Sequence, residues 1–199
     1  MKPYTEQKFN IPELTGISKK NIEEHLKLYS GYVKNTNLIA EKIADLQKDS
    51  EKNAYMIGEL QRRFGFEFDG MRNHEYYFKS LEGGHSEINA GDLKSMIESQ
   101  FGSFDAWLAT FTAMAMTRGV GWAMLYYDHH AGQLVHAWVE EQHLGHLTGL
   151  QPVLALDMWE HAYVYDYATS EKKKYIEAFF KNLNWTAIEN NFTAAKKLG

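Results

Sequence analysis

The stretch "LALDMWEHAYVYDY", residues 154–167, sets Asp157, Glu160 and His161 inside an otherwise apolar and aromatic run. Buried carboxylates and imidazoles are costly unless they are paired, hydrogen-bonded or bound to a metal. Asp157 and His161 lie four residues apart, which brings them to one side of a helix; the even spacing also brings them to one face of a strand. Two readings follow: a buried Asp–His pair that satisfies itself by a hydrogen bond, or two ligands of a metal ion.

Two more histidines stand in apolar settings. His25 lies in "NIEEHLKLYSGYV", and on a helix it shares one narrow face with Tyr29 and Tyr32. His74 lies in "MRNHEYYF", beside Tyr76, Tyr77 and Phe78. Singly, each reads as a core histidine. Together with Asp157 and His161 they make three imidazoles and one carboxylate, a set suited to a redox-active metal with room for a water ligand. None of the 199 residues is cysteine, which excludes disulfides, thiolate nucleophiles, iron–sulfur clusters and cysteine zinc sites. Nitrogen and oxygen remain as ligands, and they favour Mn, Fe or Zn over copper(I).

The elements that must position these groups can be read from periodicity. Ser18 is a candidate cap for a long helix through "KKNIEEHLKLYSGYVKNTNLIAEKIADLQK". "KDSEKN" is a turn, and "AYMIGELQRRFGFEFDGMRNHEYYFKSL" is a second helix with an expected interruption near Gly65 to Gly70. "EGGHSEINAG" marks a boundary, giving an N-terminal α-hairpin domain over 1–84 and a C-terminal α/β domain over 85–199. Two helices follow, the second capped by Ser103 and stopped by Gly119. "WAMLYYD", "LVHAWVEE" and "PVLALD" read as three strands, and the tail "KKKYIEAFFKNLNWTAIENNF" as helical. The expected class is α+β with a three-stranded antiparallel sheet.

Hydrophobic residues make up 44% of the chain, enough for a sizeable core, and the net charge of −5 gives no general footprint for nucleic acid. The start "MKPYTEQKFNIPEL" has no apolar run, and no stretch approaches a membrane span, so a cytoplasmic location is expected and no membrane partner.

"DMWEHAYVYDY" resembles the D-x-W-E-H-A-Y signature of the manganese/iron superoxide dismutase family. The resemblance continues through "HLKLYSGYVKNTN", "RNHEYYF", "GVGWAML" and "YIEAFFKNLNW", so it spans almost the whole chain. It implies the same α-hairpin plus α/β architecture. It also implies one Mn or Fe ion per subunit, held by His25, His74, Asp157 and His161 with solvent as a fifth ligand. The implied activity is removal of superoxide by one-electron cycling of the metal, in which one proton taken up with each electron keeps the charge of the site constant. Residual positive charge would then attract an anionic substrate to a negative protein.

Further roles follow from the resemblance alone. Tyr32 matches the tyrosine at the mouth of the site that relays protons. Gln142 matches the position from which Gln or His touches the metal-bound solvent; its alternative placement is Gly70 here, and His143 is a rival if the loop shifts by one. Trp122 and Trp159 would line the pocket. Glu160 would pair with the ligand histidine of a second subunit and Tyr163 would help build that interface, which implies a homodimer or a tetramer.

The chain also departs from the family pattern. Tyr29 stands where a histidine is usual, and Tyr32 comes seven rather than eight residues after His25, so either tyrosine is a candidate for the relay. Val120 sits between the glycines of "GVGW", where serine is frequent. His85, His129, His130 and His146 read as loop histidines, Lys172 to Lys174 as a solvated turn, and Lys27 and Lys34 as exposed helix charge. Two other readings are a non-catalytic member of the fold, which should have lost ligands, and a di-metal carboxylate protein. The latter needs Glu-x-x-His spacing, whereas Glu24–His25 and Glu160–His161 are adjacent.

Overall fold

Ser18 does start the first helix: its Oγ accepts from the Asn21 amide at 3.1 Å, satisfying one of the open donors of the first turn. A computed structural model describes residues 1–198. Helix α1 runs over Lys19–Leu46 and α2 over Ala54–Leu81. A 3-10 turn at Gln47–Asp49 begins the link between them. Along α1, Ile22, His25, Tyr29, Val33, Thr36 and Ile39 are buried, a stripe at helical period that faces the core. The expected interruption near Gly65 to Gly70 does not occur, since α2 is continuous. Packing along α1 outweighs the roughly 1 kcal/mol that a glycine costs within a helix.

Helices α3, Asp92–Phe101, and α4, Phe104–Ala115, follow. Ser103 caps α4, accepting from the Ala106 amide at 3.1 Å, but the helix ends before Gly119. Strands β1 (Gly121–Asp128), β2 (Gln133–Glu140) and β3 (Gln151–Asp157) form one antiparallel sheet in the order β2-β1-β3. The central strand is buried from Gly121 to Tyr127, so both of its faces are covered and its sequence is apolar without alternation. The tail divides into α5, Lys172–Lys181, and α6, Trp185–Lys196, with Asn184 capping the second. Lys172 to Lys174 are thus the first turn of a helix rather than a free turn. Among the described residues no helix is long and apolar enough to cross a membrane.

Two features of this fold set up the site. β1 pairs Trp122 with Val139 of β2 on one side and with Asp157 of β3 on the other. Asp166, after the 3-10 turn Glu160–Ala162, accepts from the Ser18 amide at 2.9 Å and from Asn21 Nδ2 at 3.1 Å, while Asn21 Nδ2 also reaches the Ala162 carbonyl at 3.0 Å. The start of α1 is therefore pinned to the segment carrying His161.

Candidate metal centre

Asp157 ends the innermost run of β3, where its carboxylate is fully buried. Its Oδ1 accepts from the Trp159 amide at 2.8 Å, which turns the chain sharply and brings His161 back over the strand end. His161 Nε2 then lies 3.1 Å from Asp157 Oδ2. From α1, His25 Nε2 approaches the same oxygen at 3.1 Å, and from α2 His74 Nε2 reaches 3.6 Å. One ligand atom from each of these four residues lies within 4.8 Å of the others. His25, His74 and Asp157 are fully buried, while His161 keeps 21% of its side-chain surface exposed.

The proton positions favour a cation. His74 Nδ1 donates to the Gly70 carbonyl at 2.6 Å, which leaves Nε2 as a bare lone pair facing the cluster with no hydrogen-bond partner. An unpaired buried acceptor costs about 1–3 kcal/mol, and a buried carboxylate several more unless it is compensated. Burial holds two of the imidazoles neutral: it lowers His25, and it lowers His74 to about 3 with help from the neighbouring His25. Burial alone would raise Asp157, but contact with His161 and His25 reverses that, and the carboxyl stays ionised. Three imidazoles and a carboxylate around one point fit a divalent or trivalent ion with nitrogen and oxygen preference.

Tyr32, Gln142 and Trp122 form a chain beside this cluster. Gln142 is fully buried; its Oε1 accepts from Trp122 Nε1 at 2.9 Å and its Nε2 donates to the Tyr32 hydroxyl at 3.0 Å. The Tyr32 ring lies 5.0 Å from that of His74, and the Trp122 ring also 5.0 Å from it. Because α1 is unbroken, the seven-residue step from His25 is about 20° short of two full turns, so Tyr32 keeps the line of His25. Burial and then the charge of Asp157 push the Tyr32 phenol well above its ordinary value, so it carries its proton. Trp159 stacks on His161 at 5.8 Å and ties to the Glu141 carbonyl through Nε1 at 3.0 Å.

Other residues fall elsewhere. Tyr29 is buried beyond His25, but its hydroxyl donates to Glu75 Oε1 at 3.1 Å and accepts from the Gln7 amide at 2.9 Å, anchoring the N-terminal arm instead of the cluster. Glu160 is exposed on this chain. Tyr163 is fully buried within the chain, its ring 5.4 Å from Tyr175, whereas Val164 and Tyr165 are exposed. His143 packs its ring against Phe66 at 5.6 Å. His85, His129 and His130 lie in loops, as expected.

The sequence reading missed Asn73, whose Nδ2 donates to the Gln142 carbonyl at 2.9 Å, and His146, which is no ordinary loop histidine. Asn73 adjoins His74 and is nearly fully buried, a signal that adjacency could have supplied. It also missed Arg63, whose guanidinium lies 3.7 Å from the Phe66 ring centroid and adds positive charge near Tyr32.

Residues 89–191 match the family described as iron/manganese superoxide dismutases, C-terminal domain. Over 186 residues the chain is 39% identical to a "Superoxide dismutase [Fe]" of Cupriavidus metallidurans, covering 92% of each. It is 37% identical to a "Superoxide dismutase [Fe]" of Aquifex pyrophilus, over 92% of this chain and 88% of that one. A "Superoxide dismutase [Mn]" of Mycolicibacterium smegmatis is 34% identical, over 92% and 87%. Similarity that runs through the helical hairpin as well as the sheet, and not through the signature alone, makes this chain a member of the iron/manganese superoxide dismutase family.

Proposed function

We propose that the chain is a superoxide dismutase that converts superoxide to dioxygen and hydrogen peroxide at one Mn or Fe ion per subunit. The observation that carries this reading is the convergence of His25, His74, Asp157 and His161, each offering one ligand atom within 4.8 Å of the rest. A Mn or Fe ion in that position supplies one-electron cycling between the +3 and +2 states. Asp157 contributes the fixed negative charge, and His25 and His74, held neutral by burial, contribute none.

The protein's own part is to bring in an anion and deliver protons. Tyr32 accepts from Gln142, so its own proton is free to pass to a neighbour on the cluster side. Gln142 is held at both ends of its amide, by Trp122 and by Tyr32, so it presents the donor hydrogens of Nε2 in a fixed direction. Trp122 and Trp159 wall the centre and exclude bulk water.

We also propose a homodimer, with a tetramer as a larger assembly of the same contacts. Glu160 and the open edge of His161 stand side by side on the surface next to Val164 and Tyr165, which suits an acidic side chain of one copy capping the imidazole of the other. Tyr163 supports that turn from beneath. Residues 1–84 and 85–199 are proposed as the two domains, and the cytoplasm as the compartment.

The test is metal analysis together with superoxide consumption on Mn-loaded and Fe-loaded protein. Turnover with either metal is expected. Tight binding of both metals without turnover would overturn the proposal. A Gln142→His variant should change the ratio of Mn to Fe activity; an unchanged ratio assigns the solvent contact to another group.

A further inference from the structure

Gln142 sits at the tip of a tight turn that its surroundings force into shape. Glu140 and Leu144 close the turn with reciprocal backbone bonds of 2.8 and 3.1 Å. Inside it Glu141 has φ +51°, and among the described residues it is the single non-glycine residue with positive φ. Such a conformation persists only where neighbours enforce it. The Glu141 amide donates to the Val120 carbonyl at 3.1 Å, and its carbonyl accepts from Trp159.

The next carbonyl, that of Gln142, takes two donors. Asn73 Nδ2 reaches it at 2.9 Å and His146 Nε2 at 3.2 Å; the two donor atoms are 3.4 Å apart, converging on one oxygen with two lone pairs. The other ring nitrogen of His146, Nδ1, lies 2.6 Å from the Tyr126 hydroxyl. The Gln142 carbonyl can only accept, so the hydrogen of His146 sits on Nε2, aimed at Gln142. In that neutral tautomer Nδ1 is the acceptor, and the Tyr126 hydroxyl donates to it. None of the four ligand residues takes part in these bonds.

We propose that His146, fixed in one tautomer by Tyr126, is a positioning residue for Gln142. It clamps the main-chain carbonyl of residue 142 so that the side-chain amide stays between Trp122 and Tyr32. The proposal rests on the reading of Gln142 as the group that governs the metal-bound solvent, and it adds a part of the sheet, through Tyr126 of β1, to the tuning of the centre.

The experiment compares Mn-loaded wild type with His146→Ala, His146→Gln, Tyr126→Phe and Gln142→Ala, reading the midpoint potential and visible absorption of the bound metal beside turnover. His146→Ala should move potential and spectrum in the same direction as Gln142→Ala and lower turnover about tenfold. His146→Gln, whose amide can donate, should recover most of that loss, and Tyr126→Phe should give a smaller shift of the same sign. His146→Ala with the potential and spectrum of wild type, while Gln142→Ala displaces both, overturns the proposal. If Gln142→Ala itself moves neither, the reading of Gln142 falls and this inference with it. Should His146→Ala fail to fold, Tyr126→Phe decides by the same readout.

Discussion

The ring of Tyr32 lies directly over Gly70. A Cβ added at residue 70 would stand 2.6 Å from Tyr32 Cδ1 and 2.7 Å from Cε1, closer than side chains pack. The carbonyl of the same glycine accepts from His74, so one residue without a side chain serves a histidine of the cluster and the tyrosine above it. Gly70→Ala should therefore push Tyr32 off Gln142 and leave the four ligands in place. Expected are unchanged metal content and superoxide consumption reduced about ten- to a hundredfold, as for a misplaced reacting group. Full activity in this variant would mean that the ring can give way without consequence.

Removing a ligand should have the opposite signature. His74→Ala and Asp157→Ala each leave three of four donors, and metal content measured on purified protein should fall from one per chain to near none. Stripping wild type with a chelator should lower the melting temperature, and restoring Mn or Fe should raise it again by mass action. A measured stoichiometry of two per chain would contradict a mononuclear centre.

The buried imidazoles predict an acid limit for the metal-free protein. Unfolded histidine titrates near about 6.5, while His25 and His74 are lowered in the folded chain, His74 to about 3. Below about pH 6.5 the unfolded chain binds protons that the folded one refuses, so stability is present above that pH and declines as pH falls towards the folded values. Asp157, also lowered, keeps its full contribution down to the unfolded carboxyl range of about 3.9 and loses it as pH falls from there towards the lower folded value. Melting temperatures at pH 7.5, 6 and 5 should fall in that order, and a His74→Leu variant should show a shallower slope. Equal slopes would remove His74 from the account.

Gly121 is the sharpest test of the sheet. A Cβ there would lie 2.1 Å from the Val139 carbonyl oxygen of the paired strand, a backbone atom that cannot move aside cheaply. Gly121→Ala should cost about 3 kcal/mol or more in chemical unfolding, placing it in the tail of point-mutant effects. It should also disturb the pairing of Trp122 with Asp157.

If Glu160 caps His161 across a two-fold axis, its removal should weaken association before it weakens the fold. Sedimentation of Glu160→Ala is expected to show dissociation at protein concentrations where wild type remains dimeric, with the monomer still folded by circular dichroism. An unchanged assembly would place Glu160 outside the interface.

The elements of this protein were legible because each is a local consequence of its residues. The α1 stripe, the caps Ser18 and Ser103, and the three apolar strands follow from period, side-chain hydrogen bonding and β propensity, none of which needs a partner distant in sequence. The four residues of the cluster were legible as candidates as well, since polar groups in apolar runs have few stable alternatives. Where local cues misled, packing was the reason: glycines 65 and 70 suggested a break, but α2 continues because it lies against α1.

What only the tertiary structure decided concerns direction. Tyr29 and Tyr32 share a helical face and the same chemistry, yet one hydroxyl is taken by Gln7 and Glu75 while the other meets Gln142 from a turn 110 residues away. Tyr163, expected at a subunit interface, is buried within the chain beside Tyr175, at the end of the 3-10 turn that follows Asp157. The role of His146 depends on Tyr126, Asn73 and a strained Glu141 brought to one carbonyl. Spacing fixes which residues can share a face. Which of them touch is settled by the way separate elements pack, and that information is not carried by any single stretch of the chain.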